Sequence, residues 1–170
     1  LGGVTSWVVQ VSVGDVPAIT QAPQGEIVTQ GNPVAFNVRA TAQSPLAYQW
    51  RKDGLPLADA TNPTLLFSDV QPSQAGLYSV AVSNGFTSVV SASAALVVVS
   101  SIGAGAPGFT GEEFGFGISG PAGLSFVMDA SINLTSWQAI ATNMFGPGMF
   151  LFLDPASSTS AMSFYRVVLP

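Results

Sequence analysis

A tryptophan inside one short strand pattern and a tyrosine opening a later one constrain this chain more than any other feature. The first lies in Tyr48-Gln-Trp-Arg-Lys-Asp-Gly54 and the second in Gln74-Ala-Gly-Leu-Tyr78-Ser-Val80. Apolar residues around them recur at every second position: Val34, Phe36, Val38 and Ala40 on one segment, Tyr78, Val80 and Val82 on another. That period belongs to strands with one face buried. No segment sustains a 3.6-residue apolar period, and 18 Gly and 12 Pro punctuate the chain throughout. The pattern predicts an all-β protein.

Strands and breakers divide the chain into four parts. Residues 1–17 form an N-terminal extension whose segment 4–13 alternates, with Trp7, Val9, Val11 and Val13 on one face. Residues 18–99 carry a full set of sandwich strands. Within them Pro23 interrupts the first strand and marks an edge or a switch between sheets. Asn84-Gly85 is a strong hairpin signal. Leu66 is expected to point inward together with Val38, Trp50, Tyr78 and Val80. Residues 100–111 hold four Gly and little of any size, the composition of a linker. Residues 112–170 read as five further strands, over 113–119, 124–130, 136–142, 149–153 and 164–169, in a second, smaller β-sandwich.

Composition excludes several kinds of chemistry. The chain has no His and no Cys, which removes imidazole and thiolate metal sites and both Ser–His and Cys–His catalysis. Four cations stand against nine acids, for a net charge of −5, too few to neutralise a phosphate backbone; nucleic acid is not an expected partner. No cofactor is expected. The longest apolar stretch, Ala94-Ala-Leu-Val-Val-Val99, is strand-sized, so no helical membrane span is expected. Charged residues make up only 8% of the chain, against about 25% in an ordinary soluble domain. Two explanations stand side by side: surface covered by neighbouring subunits, or faces solvated by Ser, Thr, Gln and Asn.

Residues 18–99 resemble the immunoglobulin-like modules of bacterial secreted and surface proteins. The motifs that carry the resemblance are Tyr48-Gln-Trp-Arg-Lys-Asp-Gly54, Thr64-Leu-Leu-Phe-Ser-Asp-Val70 and Ala75-Gly-Leu-Tyr-Ser-Val-Ala-Val-Ser-Asn84. The resemblance makes Trp50 the core tryptophan and Tyr78 the tyrosine of the corner. It puts Val38 and Val80 where vertebrate members carry disulfide cysteines, and Gln74 where the family usually has Asp. Residues 112–170 resemble a small β module that follows such domains in exported bacterial proteins, through Gly120-Pro-Ala-Gly-Leu, Asp129-Ala-Ser-Ile-Asn-Leu-Thr-Ser-Trp137, Phe152-Leu-Asp-Pro155 and Phe164-Tyr-Arg166. An extracellular or surface location follows from these resemblances, as do roles in adhesion, in spacing or beside enzymes. Residues 8–17 resemble the end of a preceding module, which makes a fragment of a longer protein one reading of the chain.

Candidate sites are sparse. The nine acids show no spacing that predicts a facing catalytic pair, and no enzyme is expected. Glu112-Glu113 offers oxygen ligands for Ca²⁺, but no Asp-x-Asp-x-Asp-Gly loop accompanies it, and solvated linker acids are the plainer reading. Trp137 is read as a core anchor, with an exposed sugar-stacking platform as the alternative. Phe145, Met149 and Phe150, with Phe152, cluster at Gly146-Pro-Gly148 and would make an apolar interface if that loop is exposed. Asn133-Leu-Thr135 fits a glycosylation acceptor, a pattern expected once by chance in a chain of this size.

A spare amphipathic strand, a five-stranded second unit and low charge point to one arrangement. A lone strand is not stable in water, and an open sheet edge invites pairing. Strand addition between copies satisfies both, and a head-to-tail contact that does not close makes a filament. The sequence thus predicts a homopolymer in which Trp7, Val9, Val11 and Val13 insert into a neighbour, with Phe145, Met149 and Phe150 at the interface. The alternatives are a module binding a surface glycan or another cell-surface protein, and a passive spacer.

Overall fold

The computed structural model describes residues 14–100, 108–110, 113–154 and 163–170. The expected strand 4–13, with Trp7, Val9, Val11 and Val13, lies outside the described residues, as do Glu112 and most of the linker.

Two packed layers form the first unit, an immunoglobulin-like β-sandwich. One layer holds two two-stranded sheets, β1 (Ala18–Gln21) with β4 (Arg39–Thr41) and β3 (Val34–Asn37) with β7 (Thr64–Phe67), all antiparallel. The other contains β2 (Glu26–Thr29), β5 (Ala47–Lys52), β6 (Leu55–Pro56), β8 (Gly76–Ser83), β9 (Ser88–Val90) and β10 (Ala94–Ser100). The chain changes sheets between β1 and β2, across the segment that holds Pro23, and β2 then runs parallel to β10 with Ile27 opposite Val97. Proline cannot donate to a ladder, so the switch falls where the sequence cannot continue one. The β5–β6 hairpin turns on Asp53 and Gly54, both at positive φ (50° and 83°), the conformation of a two-residue primed turn.

The core of this unit is Phe36, Val38, Trp50, Val70, Tyr78, Val80, Val82, Leu96 and their neighbours. Alternation places them: in β8, Gly76, Tyr78, Val80 and Val82 are buried while the residues between face outward. Trp50 and Tyr78 are fully buried, and Phe36 sits between them, 6.3 Å from the first ring and 5.0 Å from the second. Val38 and Val80 are buried in the same cluster, so apolar contact joins the sheets at the positions the resemblance gives to cysteines. Leu66 corrects the expectation that it points inward. It is 64% exposed, because the β3–β7 register sets it opposite exposed Ala35 and turns Leu65 and Phe67 to the core.

The second unit begins on the same strand that ends the first. β10 pairs with β8 through Ala94–Leu96 and with β12 (Glu113–Ser119) through Val98–Ser100. Its Leu96 and Val98 lie in the first core and Val97 in the second. β12 also pairs with β11 (Gly108–Thr110) and, along its other edge, with β15 (Phe150–Asp154). Residues 108–110, expected within the linker, are thus a strand. A second sheet orders β14 (Gln138–Met144), β13 (Ser125–Ser131) and β16 (Phe164–Val168). Between the sheets lie Val97, Phe116, Ile118, Phe126, Met128, Phe145 and Phe152. No helix among the described residues is long and apolar enough to cross a membrane.

Candidate functional site

Edges and poles, rather than a cluster of reactive side chains, are the candidate functional features. Among the described residues no three acids converge as a metal site.

The pole where the N-terminal segment enters is built around Asp15. Its carboxylate accepts the Gln43 backbone N–H and, at 2.9 Å, the Ser44 hydroxyl. Its carbonyl accepts the Asn84 side-chain amide at 2.7 Å. The Gln43 N–H, above all, holds the Asp15 carboxyl below its usual value; burial opposes this, and the Ser44 bonds add to the lowering. Asn84 also accepts the Phe86 and Thr87 N–H groups, closing the turn between β8 and β9. The Phe86 ring lies against Gly14, where an added Cβ would meet it at 2.2 Å. Chain entry, the loop after β4 and the β8–β9 turn are thereby one fixed assembly.

At the opposite pole an apolar groove of about 490 Å³ opens between the two units, lined by Ile27, Val99, Phe114, Phe116 and the run 163–167. Ile27 stands on β2 and Val99 on β10. Tyr165 is flanked by Phe114, Phe116 and Phe152, with centroids 5.2, 6.1 and 5.4 Å away. Its hydroxyl donates to Asp154, and burial, then that bond, pushes the hydroxyl above its ordinary pKa. Ser163 and four consecutive residues of β16, 164–167, line the groove, so it follows the edge of β16 and not one face of it. Among the described residues β16 pairs only with β13, and in unbroken register. β14, the other edge of that sheet, carries a register shift at Met128/Asp129, which twists an edge away from further pairing.

A second opening between the units, of about 660 Å³, is walled by Lys52, Asp53 and Gly76 on one side and the Gly120–Gly123 and Gly146–Gly148 turns on the other. Its charges satisfy each other: Lys52 Nζ lies 3.0 Å from Asp53, whose other oxygen accepts the Leu77 N–H at 2.8 Å. Partial burial of Asp53 opposes ionisation, and these two partners outweigh it, so its carboxyl sits below the ordinary value.

The Gly146-Pro-Gly148 cluster corrects the expectation of an apolar tip. Phe145 is buried and stacked on Phe126 at 4.3 Å, and Phe150 meets Phe126 edge-on at 5.2 Å. The Phe145 N–H donates to Leu124 and its carbonyl accepts from Gly123, which ties the ring's backbone to the Gly120–Gly123 turn. Met149 is half exposed, but its side chain lies over Gly117 and its sulfur accepts the Ser100 hydroxyl at 3.2 Å, at the β10–β12 junction.

Trp137 is not a core anchor: it is half-buried and lines an opening of about 320 Å³ with Ile132 and Ile140. Arg166 lies over its ring, 4.3 Å from the centroid, while Arg166 Nε and Nη2 reach the largely buried Asp129 at 2.9 and 2.8 Å. The indole N–H is taken by the Leu134 carbonyl at 3.1 Å. One ring face and the polar edge are therefore occupied within the chain. The strands β13, β14 and β16 bring these residues together.

A family model described as "Immunoglobulin domain" matches residues 16–84. Among curated proteins, the advanced glycosylation end product-specific receptors of Mus musculus and Bos taurus are each 40% identical over 57 residues, 34% of this chain and 14% of theirs. The chain thus matches only a small part of those receptors. Among solved structures, tandem Ig repeats of Dlar are 18% identical over 53% of this chain and 51% of that one, with a TM-score of 0.49. The titin M3 domain is 24% identical over 51% of this chain and 98% of its own, with a TM-score of 0.44.

Proposed function

We propose that this chain is a non-enzymatic structural subunit of a filament on a bacterial cell surface, assembled head to tail by β-strand addition. Residues 4–13 act as the donor strand of one copy, and the second β-sandwich, residues 112–170, offers the receiving edge of the next. One observation carries the reading: chain entry and the open groove lie at opposite poles. From Asn84, which holds Asp15, β8 runs to Gly76; Gly76 opposes Leu96, and Val97 opposes Ile27 at the near wall of the groove. About nine strand residues separate the two poles, or about 30 Å. A donor leaving one pole of one copy and received at the far pole of the next makes a contact that does not close, and such contacts propagate.

Low charge supports the same reading. Only 8% of residues are charged, and residues 4–13 contain no charged side chain, so burying that segment carries no ionic side-chain desolvation cost. Main-chain pairing would supply affinity and alternate side chains the register. Arg166 over Trp137 supports this reading over glycan stacking, because one face of the best aromatic candidate is already taken within the chain.

Negative-stain electron microscopy and sizing of the full chain and of a variant lacking residues 1–13 test the proposal. Regular fibres from the full chain and discrete monomers from the variant are expected. Identical behaviour of the two overturns it.

A further inference from the structure

Resting on the reading of strand addition, we infer that the acceptor is the groove along β16, and that its occupant is the segment 4–13 of a second copy of this chain. The incoming strand extends the β14-β13-β16 sheet beside β16. It sets Trp7, Val9, Val11 and Val13 against Val99, Phe116, Tyr165 and Val167, with Ile27 as the opposite wall.

Three observations select this place and this occupant. The first is the edge: β16 is regular, whereas the competing edge β14 carries the register shift, and an unbroken ladder is the better template. The second is chemistry. Apolar side chains dominate the groove, and Arg166, its one charged lining residue, is already bonded to Asp129. The segment 4–13 is uncharged and alternates, so one face would present Thr5, Trp7, Val9, Val11 and Val13, and the other Val4, Ser6, Val8, Gln10 and Ser12.

The third is reach, which decides between a chain's own segment and a neighbour's. Residue 14 is held at the far pole by Phe86 and the Asp15 bonds. Travelling the roughly 30 Å back to Ile27 uses about nine residues at about 3.3 Å each. Only residues 1–5 of the same chain would then arrive, and Trp7, Val9, Val11 and Val13 would all fall short. A second copy meets no such limit. The same geometry fixes polarity, with the Asp15 pole of each subunit on the groove pole of the next.

The absence of cysteine in the native chain makes the test direct. Full-length protein carrying Val11→Cys and Ile27→Cys is treated with a short bis-maleimide and run under denaturing conditions, beside a Val11→Cys, Leu66→Cys control. Ile27 and Leu66 are both exposed, on opposite sheets, so neither substitution empties a core. A ladder of linked oligomers is expected for the Ile27 pair and not for the Leu66 pair. Ile27→Lys should abolish fibres while Leu66→Lys leaves them. If fibres form, need residues 1–13, and yet survive Ile27→Lys with no ladder from the Ile27 pair, the groove is the wrong acceptor and strand addition stands. If the unmodified chain gives only monomers, strand addition fails and the groove assignment fails with it.

Discussion

The Tyr78 hydroxyl donates to the Gln74 carbonyl at 2.5 Å, reaching back four residues across the turn that leads into β8. The bond uses the main chain of residue 74, so it does not depend on which side chain stands there. The Gln74 side chain is employed elsewhere, accepting the Gln71 N–H at 2.7 Å and closing the 3₁₀ turn Pro72–Gln74. Tyr78→Phe keeps the ring on Phe36 and Phe67 and strands the carbonyl. Urea denaturation should show a loss of about 1–2 kcal/mol with an unchanged m-value.

The same hydroxyl sets an alkaline limit. Burial first, and the Asp53 charge second, push the Tyr78 hydroxyl well above its ordinary pKa of 10.0. A raised folded pKa means the neutral form is favoured in the fold. The contribution is intact below about pH 10 and is lost as pH rises beyond it. Phenolate absorbance should show Tyr78 ionising only with unfolding, and Tyr78→Phe should remove that part of the alkaline destabilisation. A Tyr78 that titrates in the native state at an ordinary pKa contradicts the burial.

Acid acts through Asp53 with the opposite sign. Its folded pKa is depressed, so its contribution is present above the ordinary value of 3.8 and is lost as pH falls below it. Asparagine tolerates the positive φ of the turn, which makes Asp53→Asn the clean probe. Because the side chain is half exposed, the expected loss at pH 7 is only about 0.5 kcal/mol. Melting curves of the two proteins should converge between pH 7 and pH 3; parallel curves exclude the ionic contribution.

Arg166 is the partner of a largely buried carboxylate and the cover of an indole. Arg166→Met retains much of the packing over Trp137 but leaves Asp129 without its cation. A cost of about 1–3 kcal/mol is expected, with a red shift of Trp137 emission in a Trp7→Phe, Trp50→Phe background. Asp129→Asn with Arg166→Met should recover part of the loss, because the uncompensated charge is then gone.

What was legible in the sequence followed from local physics. Period-two alternation marked β3 and β8, Pro23 marked the sheet switch, and Asn84-Gly85 marked the turn that Asn84 in fact caps. Leu66 was not legible because Leu65 and Leu66 are adjacent and equally apolar. Only the long-range register of Phe36 against Leu65 decides which one faces the core. Phe145 followed a different failure: its proximity to Gly146-Pro-Gly148 suggested a loop tip, while its ring belongs to the β13 face through Phe126. The sharing of β10 between two cores, the Asp15 clasp and the Asp129–Arg166–Trp137 stack all join residues far apart in sequence. No local pattern encodes such pairings.

Gly120 and Gly148 lie in two turns that wall the same opening, and they should respond to alanine in opposite ways. A Cβ at Gly120 would meet the Phe145 ring at 2.5 Å, whereas one at Gly148 meets nothing within 4 Å. Phe145 cannot step aside, since it is buried and stacked on Phe126 and its backbone is bonded to Gly123 and Leu124. Gly120→Ala should therefore cost about 1–3 kcal/mol, the range for forcing extra volume into a packed core. Gly148→Ala should be neutral or gain a few tenths of a kcal/mol by restricting the unfolded chain. Phe145→Ala should cost about 3–5 kcal/mol by emptying the site, and in the Phe145→Ala background Gly120→Ala should lose most of its penalty. That coupling separates a steric conflict with this ring from a general intolerance of the turn. Additive losses in the double variant would mean that Gly120 is required for its backbone and not for the room it leaves Phe145.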